Sequence, residues 1–155
     1  MPVKMCENKT FTIRYMKMED VSQVAAIEKQ CFSQPWSEKA FADSVSDDNY
    51  VYIVADCDGC IAGYAGGIMA VPETDITNIA VKEEYRRMGI GEELLEQFAR
   101  IMTGKHIGTI FLEVRESNIP AINLYMGQGF EQVGVRKNFY DMPVENALIM
   151  AKKLQ

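Results

Sequence analysis

The sequence of 155 residues predicts an α/β fold, a mixed and mostly antiparallel sheet of about seven strands flanked by about four helices. Three observations carry that prediction. Apolar residues switch repeatedly between a period of two and helical spacing. Hairpin patterns stand towards both ends of the chain, where neighbouring strands should run antiparallel. In the middle, strand and helix patterns alternate, as a parallel crossover requires. A chain of this length, 48% apolar and 25% charged, forms one domain and buries about 68–70% of its unfolded surface.

Each element has a local reason. Residues 1–10 hold Lys4, Glu7 and Lys9 without an apolar run and are expected to be flexible, leaving residues 11–155 as the domain. Phe11, Ile13 and Tyr15 alternate with Thr12, Arg14 and Met16, the pattern of a half-buried strand. A helix opens at Glu19 or Asp20 and carries Val21, Val24, Ala25 and Cys31 at helical spacing. Ser33-Gln34-Pro35-Trp36 breaks it, and Ser37 caps a second helix reaching about Val45. Tyr50 to Ala55 and Ile61 to Met69 form a hairpin through Asp58-Gly59. Asp75 to Val81 is a strand, and Ile90, Leu94, Leu95, Phe98, Ile101 and Met102 trace one helix face. In the strand Thr109 to Arg115, Ile110, Leu112 and Val114 face one side while Phe111, Glu113 and Arg115 face the other. Ser117 or Asn118 caps the next helix, Pro120 fits its first turn, and Gly127 and Gly129 stop it. Phe130 to Lys153 supplies two last strands around Met142-Pro143.

Charge and cysteines exclude several functions. Twenty-two acidic against 16 basic residues give a net charge of −6, which argues against direct nucleic acid binding and suits a cationic partner. The longest nearly apolar stretch, Tyr64 to Pro72, is about half of the roughly 18 residues a spanning helix needs, so no membrane association is expected. The first residues lack the apolar segment of a secretory leader, and a cytoplasmic protein is expected. Four cysteines are too few for a disulfide framework. Cys57-x-x-Cys60 is read as flanking a hairpin turn: structural zinc needs four ligands, and His106 is the sole histidine, so no metal is expected.

Two constellations bear on chemistry. Arg86-Arg87-Met88-Gly89-Ile90-Gly91 lies between a strand and a helix, where free backbone N–H groups, the helix dipole and two arginines would favour an anion; a compact turn is the alternative. It is not a dinucleotide fingerprint, because Leu94 replaces the third glycine, and Gly104-Lys105-His106 is not a P-loop. The second runs through Leu112-Glu113-Val114-Arg115, Ser117-Asn118, Ala121, Leu124-Tyr125 and Gly129-Phe130. Mid-strand Glu113 is either a salt-bridge partner or a general base, and Tyr125 either a core aromatic or a general acid. Trp36 either anchors the helix break or lines an acceptor groove.

Ile79-Ala80-Val81, the Arg86 to Gly91 turn and this second constellation together resemble the core of the GNAT acetyltransferase superfamily. The likeness extends to Cys31-Phe32-Ser33-Gln34-Pro35-Trp36-Ser37 and to Arg136-Lys137-Asn138-Phe139-Tyr140 with Pro143, Glu145 and Ala147, which resemble the RimI branch, ribosomal-protein-alanine N-acetyltransferases. It covers residues 11 to about 151. Asn146 and Phe139 depart from that branch, where aspartate and a second tyrosine are common. The resemblance implies acetyl-CoA as acetyl donor and a protein N-terminus as acceptor, the alanine of a small-subunit ribosomal protein. Direct transfer in a ternary complex is expected, because no cysteine or serine sits beside a candidate base in the motifs. Main-chain groups of Ile79 and Val81 would hold the pantetheine arm, and Arg86, Arg87, Met88, Gly89, Ile90 and Gly91 the pyrophosphate, with Ala80, Asn118, Ala121 and Tyr125 completing the cofactor site. Glu113 would be the base, Tyr125 the acid, and Phe32, Pro35, Trp36 and Tyr140 the acceptor groove. Acetylation of lysine side chains or small amines, and a non-catalytic acyl-CoA-binding module, are the alternatives.

Overall fold

The computed structural model describes residues 3–6 and 9–155, with side chains from residue 10 onward. Strands β1 (Val3–Cys6) and β2 (Lys9–Tyr15) lead into helices α1 (Val21–Cys31) and α2 (Glu38–Val45), then into strands β3 (Tyr50–Cys57), β4 (Cys60–Ala70) and β5 (Glu73–Val81). Helix α3 (Ile90–Gly104), strand β6 (Thr109–Arg115), helix α4 (Ile119–Gly127) and strands β7 (Glu131–Tyr140) and β8 (Glu145–Lys153) complete the chain. The described strands form one sheet ordered β1-β2-β3-β4-β5-β6-β8-β7. Every neighbouring pair is antiparallel except β5 and β6, the two joined through α3.

Four local expectations hold in detail. Asp58 (φ 50°) and Gly59 (φ 89°) make the tight turn between β3 and β4, with Cys57 and Cys60 paired directly across it. The Ser37 side chain accepts from the Ala40 N–H and the Asn118 side chain from the Ala121 N–H, capping α2 and α4. Ile110, Leu112 and Val114 are buried while Phe111, Glu113 and Arg115 stay half-buried on the opposite face of β6.

Three details differ. The flexible N-terminus expected over residues 1–10 meets an edge strand: Val3–Cys6 pair with residues 9–12 and satisfy backbone groups along the edge of β2. For residues 1, 2, 7 and 8 the expectation lies outside the described residues. Tyr15 is exposed, and Met16, whose N–H donates to the Tyr52 carbonyl, is buried on the other face. A 3-10 turn, Met18–Asp20, precedes α1, because buried Asp20 is gripped by the Arg14 guanidinium at 2.7 and 2.9 Å.

Each sheet face has its own core. Leu94, Phe98 and Met102 of α3 and Tyr125 of α4 pack with Ile13, Ile53 and Ile110. On the other face Val24 and Ile27 of α1 and Phe41 of α2 pack with Tyr52, Val54 and Tyr64. A fully buried Phe41 or Phe98 stabilises by about 1.5–3 kcal/mol relative to exposure.

The sheet is interrupted in its middle. Strands β5 and β6 pair only from Glu73 opposite Thr109 to Asp75 opposite Phe111, and then diverge. Beside the divergence Gly67 pairs with Ile76 and Gly66 with Asn78, leaving Thr77 as a bulge. The glycines are required there: a Cβ on Gly66 would stand 2.0 Å from the Tyr52 ring, and one on Gly67 2.1 Å from the Asp75 carbonyl oxygen.

Candidate active site

One wall of the cleft between the diverging strands is backbone. The Lys82 N–H donates to the Ala62 carbonyl, so Ala80, two residues back, also turns its backbone towards β4. Ile79 and Val81, which alternate with them, turn theirs into the cleft. Ala80 instead packs its side chain in the α1–α2 core.

Past the end of β5, Arg87 (φ 64°) and Gly89 (φ 80°) both take the left-handed conformation, which folds the turn tightly and aims successive N–H groups to one side. Gly89 precedes α3 without a capping side chain, unlike the residues at the starts of α2 and α4. The first N–H groups of this 15-residue helix thus keep their donor capacity for an anion. The missing Cβ of Gly91 faces Leu124 Cδ2 at 3.1 Å, so the small residue lets α3 approach α4. The Arg86 side chain folds back: Nε donates to the Val81 carbonyl at 3.0 Å and Nη2 lies 3.3 Å from Cys31 Sγ. Arg87 is exposed, Met88 packs against the α3 core, and Ile90 is buried within it.

The other wall is made of side chains. Glu113 is partly exposed and lies 3.5 Å from Arg136 Nε of β7. Burial pushes its carboxyl above the usual glutamate value, Arg136 pulls it back and Asp75 of β5 pushes it further up. Tyr140 joins this group: burial, and then the Glu113 charge, raise its hydroxyl to about 12, while Arg115 opposes the rise from 4.4 Å above the ring. Tyr125 is buried against Phe130, and burial first, Tyr140 second, raise its hydroxyl above the usual tyrosine value. It therefore carries its proton throughout the neutral range.

Sequence reasoning missed two polar hubs. Arg115 donates to the carbonyls of Asp141 and Pro143 at 2.9 Å each and to Glu145 at 3.2 Å, while Glu145 accepts from the Ser117 N–H at 2.7 Å. This clamp fixes the β7–β8 turn and with it Tyr140. Glu28, buried on α1, accepts from Tyr64, Asn78 and the Trp36 N–H. A glutamate at a core-facing helical position was the available signal. The four expected groove residues divide between two flanks, since in the strand order Glu113 on β6 lies between β3, on which Trp36 of the 32–36 segment packs, and β7, which carries Tyr140. Phe32 and Pro35 are exposed; Trp36 packs its ring on Phe41, Tyr50 and Tyr52, so it anchors the helix break. Asn146 accepts from the Asn138 N–H, and exposed Phe139 lies under Arg136.

The model of the acetyltransferase (GNAT) family matches residues 21–130. The chain belongs to the GNAT family. It is 39% identical over 139 residues, 89% of this chain and 92% of the relative, to a provisional ribosomal protein bS18-alanine N-acetyltransferase of Bacillus subtilis (strain 168). The crystal structure of ribosomal-protein-S18-alanine N-acetyltransferase from Escherichia coli superposes with a TM-score of 0.86 at 33% identity, covering 94% of each chain. That of Arabidopsis thaliana NAA60 in complex with acetyl-CoA shares the fold at a TM-score of 0.85 and 19% identity, over 93% of this chain and 98% of that one. The protein is an acetyltransferase of the RimI type, with a mixed sheet and four flanking helices. No described helix is long and apolar enough to cross a membrane.

Proposed function

We propose that this enzyme moves the acetyl group of acetyl-CoA to the α-amino group of a protein N-terminus, the terminal alanine of a small-subunit ribosomal protein. The observation that carries the reading is the divergence of β5 and β6, which sets free backbone groups and an uncapped helix start across one cleft from Glu113. The names of the relatives support the acceptor. In this reading the backbones of Ile79 and Val81 hold the amide-bearing arm of the donor. The N–H groups from Arg87 to Gly91 hold its pyrophosphate, with Arg87 supplying exposed positive charge. Asn118, Ala121 and Tyr125 border the thioester end.

The steps follow from charge. The acceptor amine must be neutral to attack the thioester carbonyl. An α-amino group, with a pKa of about 7.7–8.0, is partly neutral at pH 7, whereas a lysine at about 10.4 needs roughly 3.4 kcal/mol more. Glu113 takes the amine proton, the N–C bond forms as the C–S bond breaks, and Tyr125 protonates the departing thiolate. Transfer is direct, within a ternary complex. Phe32 and Pro35 on one flank and Tyr140 on the other contact the acceptor, and the acidic surface favours its protonated N-terminus on approach.

The test follows free thiol release with an alanine-starting peptide, a lysine peptide with a blocked N-terminus, and spermidine. Turnover with the first alone is expected. Turnover confined to either of the others would reject the N-terminal reading.

A further inference from the structure

We propose that Glu28 is a positioning residue for the acceptor, fixing the main chain of the α1–α2 connection against the sheet. The inference rests on the reading of that connection as an acceptor wall. Three donors reach the buried carboxylate: Tyr64 Oη at 2.6 Å from β4, Asn78 Nδ2 at 3.1 Å from β5, and the Trp36 N–H at 2.9 Å from the connection itself. Among the described residues Glu28 has no basic partner within ion-pair distance, so only these donors offset its lost hydration. An apolar side chain would fill the space without that cost. What the carboxylate adds is a fixed place for Trp36 relative to β5.

The network also reaches the bulge. Tyr52 Oη donates to Asn78 Oδ1 at 2.6 Å and, its one hydrogen being committed, accepts from the Thr77 hydroxyl at 2.7 Å. The acceptor wall and the bulged strand beside the cleft therefore hang from one carboxylate. Its donor set predicts which substitute works. In Glu28→Gln the amide oxygen still accepts from Trp36 and Asn78, and the amide nitrogen donates to the Tyr64 hydroxyl, which can accept. Glu28→Leu keeps the approximate volume and supplies no acceptor.

Trp36 is the sole tryptophan of the chain, so acrylamide quenching of its emission reports on the connection directly. In Glu28→Leu quenching should rise clearly, and the KM for the alanine-starting peptide should rise about fivefold or more while that for acetyl-CoA stays within about twofold. Glu28→Gln should recover both readouts. Unchanged quenching in Glu28→Leu, equal rises in both KM values, or a Glu28→Gln that behaves like Glu28→Leu overturns the proposal. Should Glu28→Leu fail to fold, hydrogen exchange of the Trp36 amide in the unaltered enzyme decides instead: slow exchange supports the tie and free exchange refutes it. If the unaltered enzyme acetylates no N-terminal peptide, the acceptor reading fails by itself, and quenching and exchange still report whether Glu28 holds the loop.

Discussion

The two walls of the cleft are built from different materials. On the β5 side the chain offers backbone: two residues turned out of the ladder and a helix start without its own cap. On the β6–β8 side it offers side chains, with Glu113 in a field of Arg136, Asp75 and Tyr140, and a turn clamped by Arg115. Backbone donors suit a ligand whose groups never vary, and they depend on conformation more than on residue identity. A side-chain wall responds to single atoms, which suits chemistry and the choice of acceptor.

The comparison can be broken most directly at Glu113. Glu113→Gln removes the proposed base but little volume, and the rate of thiol release should fall about 100-fold or more, with acetyl-CoA affinity by calorimetry nearly unchanged. Loss of cofactor binding instead would make Glu113 part of the other wall. Next in size is Gly89→Ala. A side chain at φ 80° costs about 1–2 kcal/mol, so the free turn should relax away from that conformation and acetyl-CoA affinity should drop roughly tenfold, the cost of restoring it on binding. Gly91→Ala meets only the end of the Leu124 side chain and should change affinity by less than about threefold. Equal effects at the two glycines would refute the distinction drawn between them. Arg115→Lys keeps the charge but loses the fork that spans two carbonyls and Glu145. Peptide KM should rise several-fold, and acetyl-CoA KM should not.

The smallest effect is the most diagnostic. As the proposed base, Glu113 would work deprotonated, so kcat/KM should fall as pH drops through its pKa, which burial raises above the ordinary glutamate value. Arg136 favours the charged form, so Arg136→Gln should move this acidic limb to higher pH. Asp75 disfavours it, so Asp75→Asn should move the limb to lower pH. Shifts of the same sign would show that the limb does not report Glu113.

What the sequence made legible was local. The Asp58-Gly59 turn, the Ser37 and Asn118 caps and the alternation in β6 each depend on a few adjacent residues, and each stands as expected. The glycine turn was legible as a motif, but the separate duties of Gly89 and Gly91 were not, because Leu124 reaches Gly91 only after α4 has docked. Glu28 lies 36 residues from Tyr64 and 50 from Asn78, and Arg115 meets Asp141 across 26. No pattern in a single stretch of chain registers partners so far apart. The bulge at Thr77 was hidden for the same reason: it lies opposite Gly66 and Gly67 of another strand, where the Tyr52 ring fills the space above Gly66.

The three-residue seam between β5 and β6 gives the sheet a free strand edge in its interior. Exposed edges ordinarily recruit other chains, and proteins blunt them with charge, proline or brevity. Here β6 turns away from that edge instead of covering it. Under the proposed function, a donor lying along Ile79 and Val81 would act as a temporary strand, and the sheet would be continuous only in the loaded enzyme.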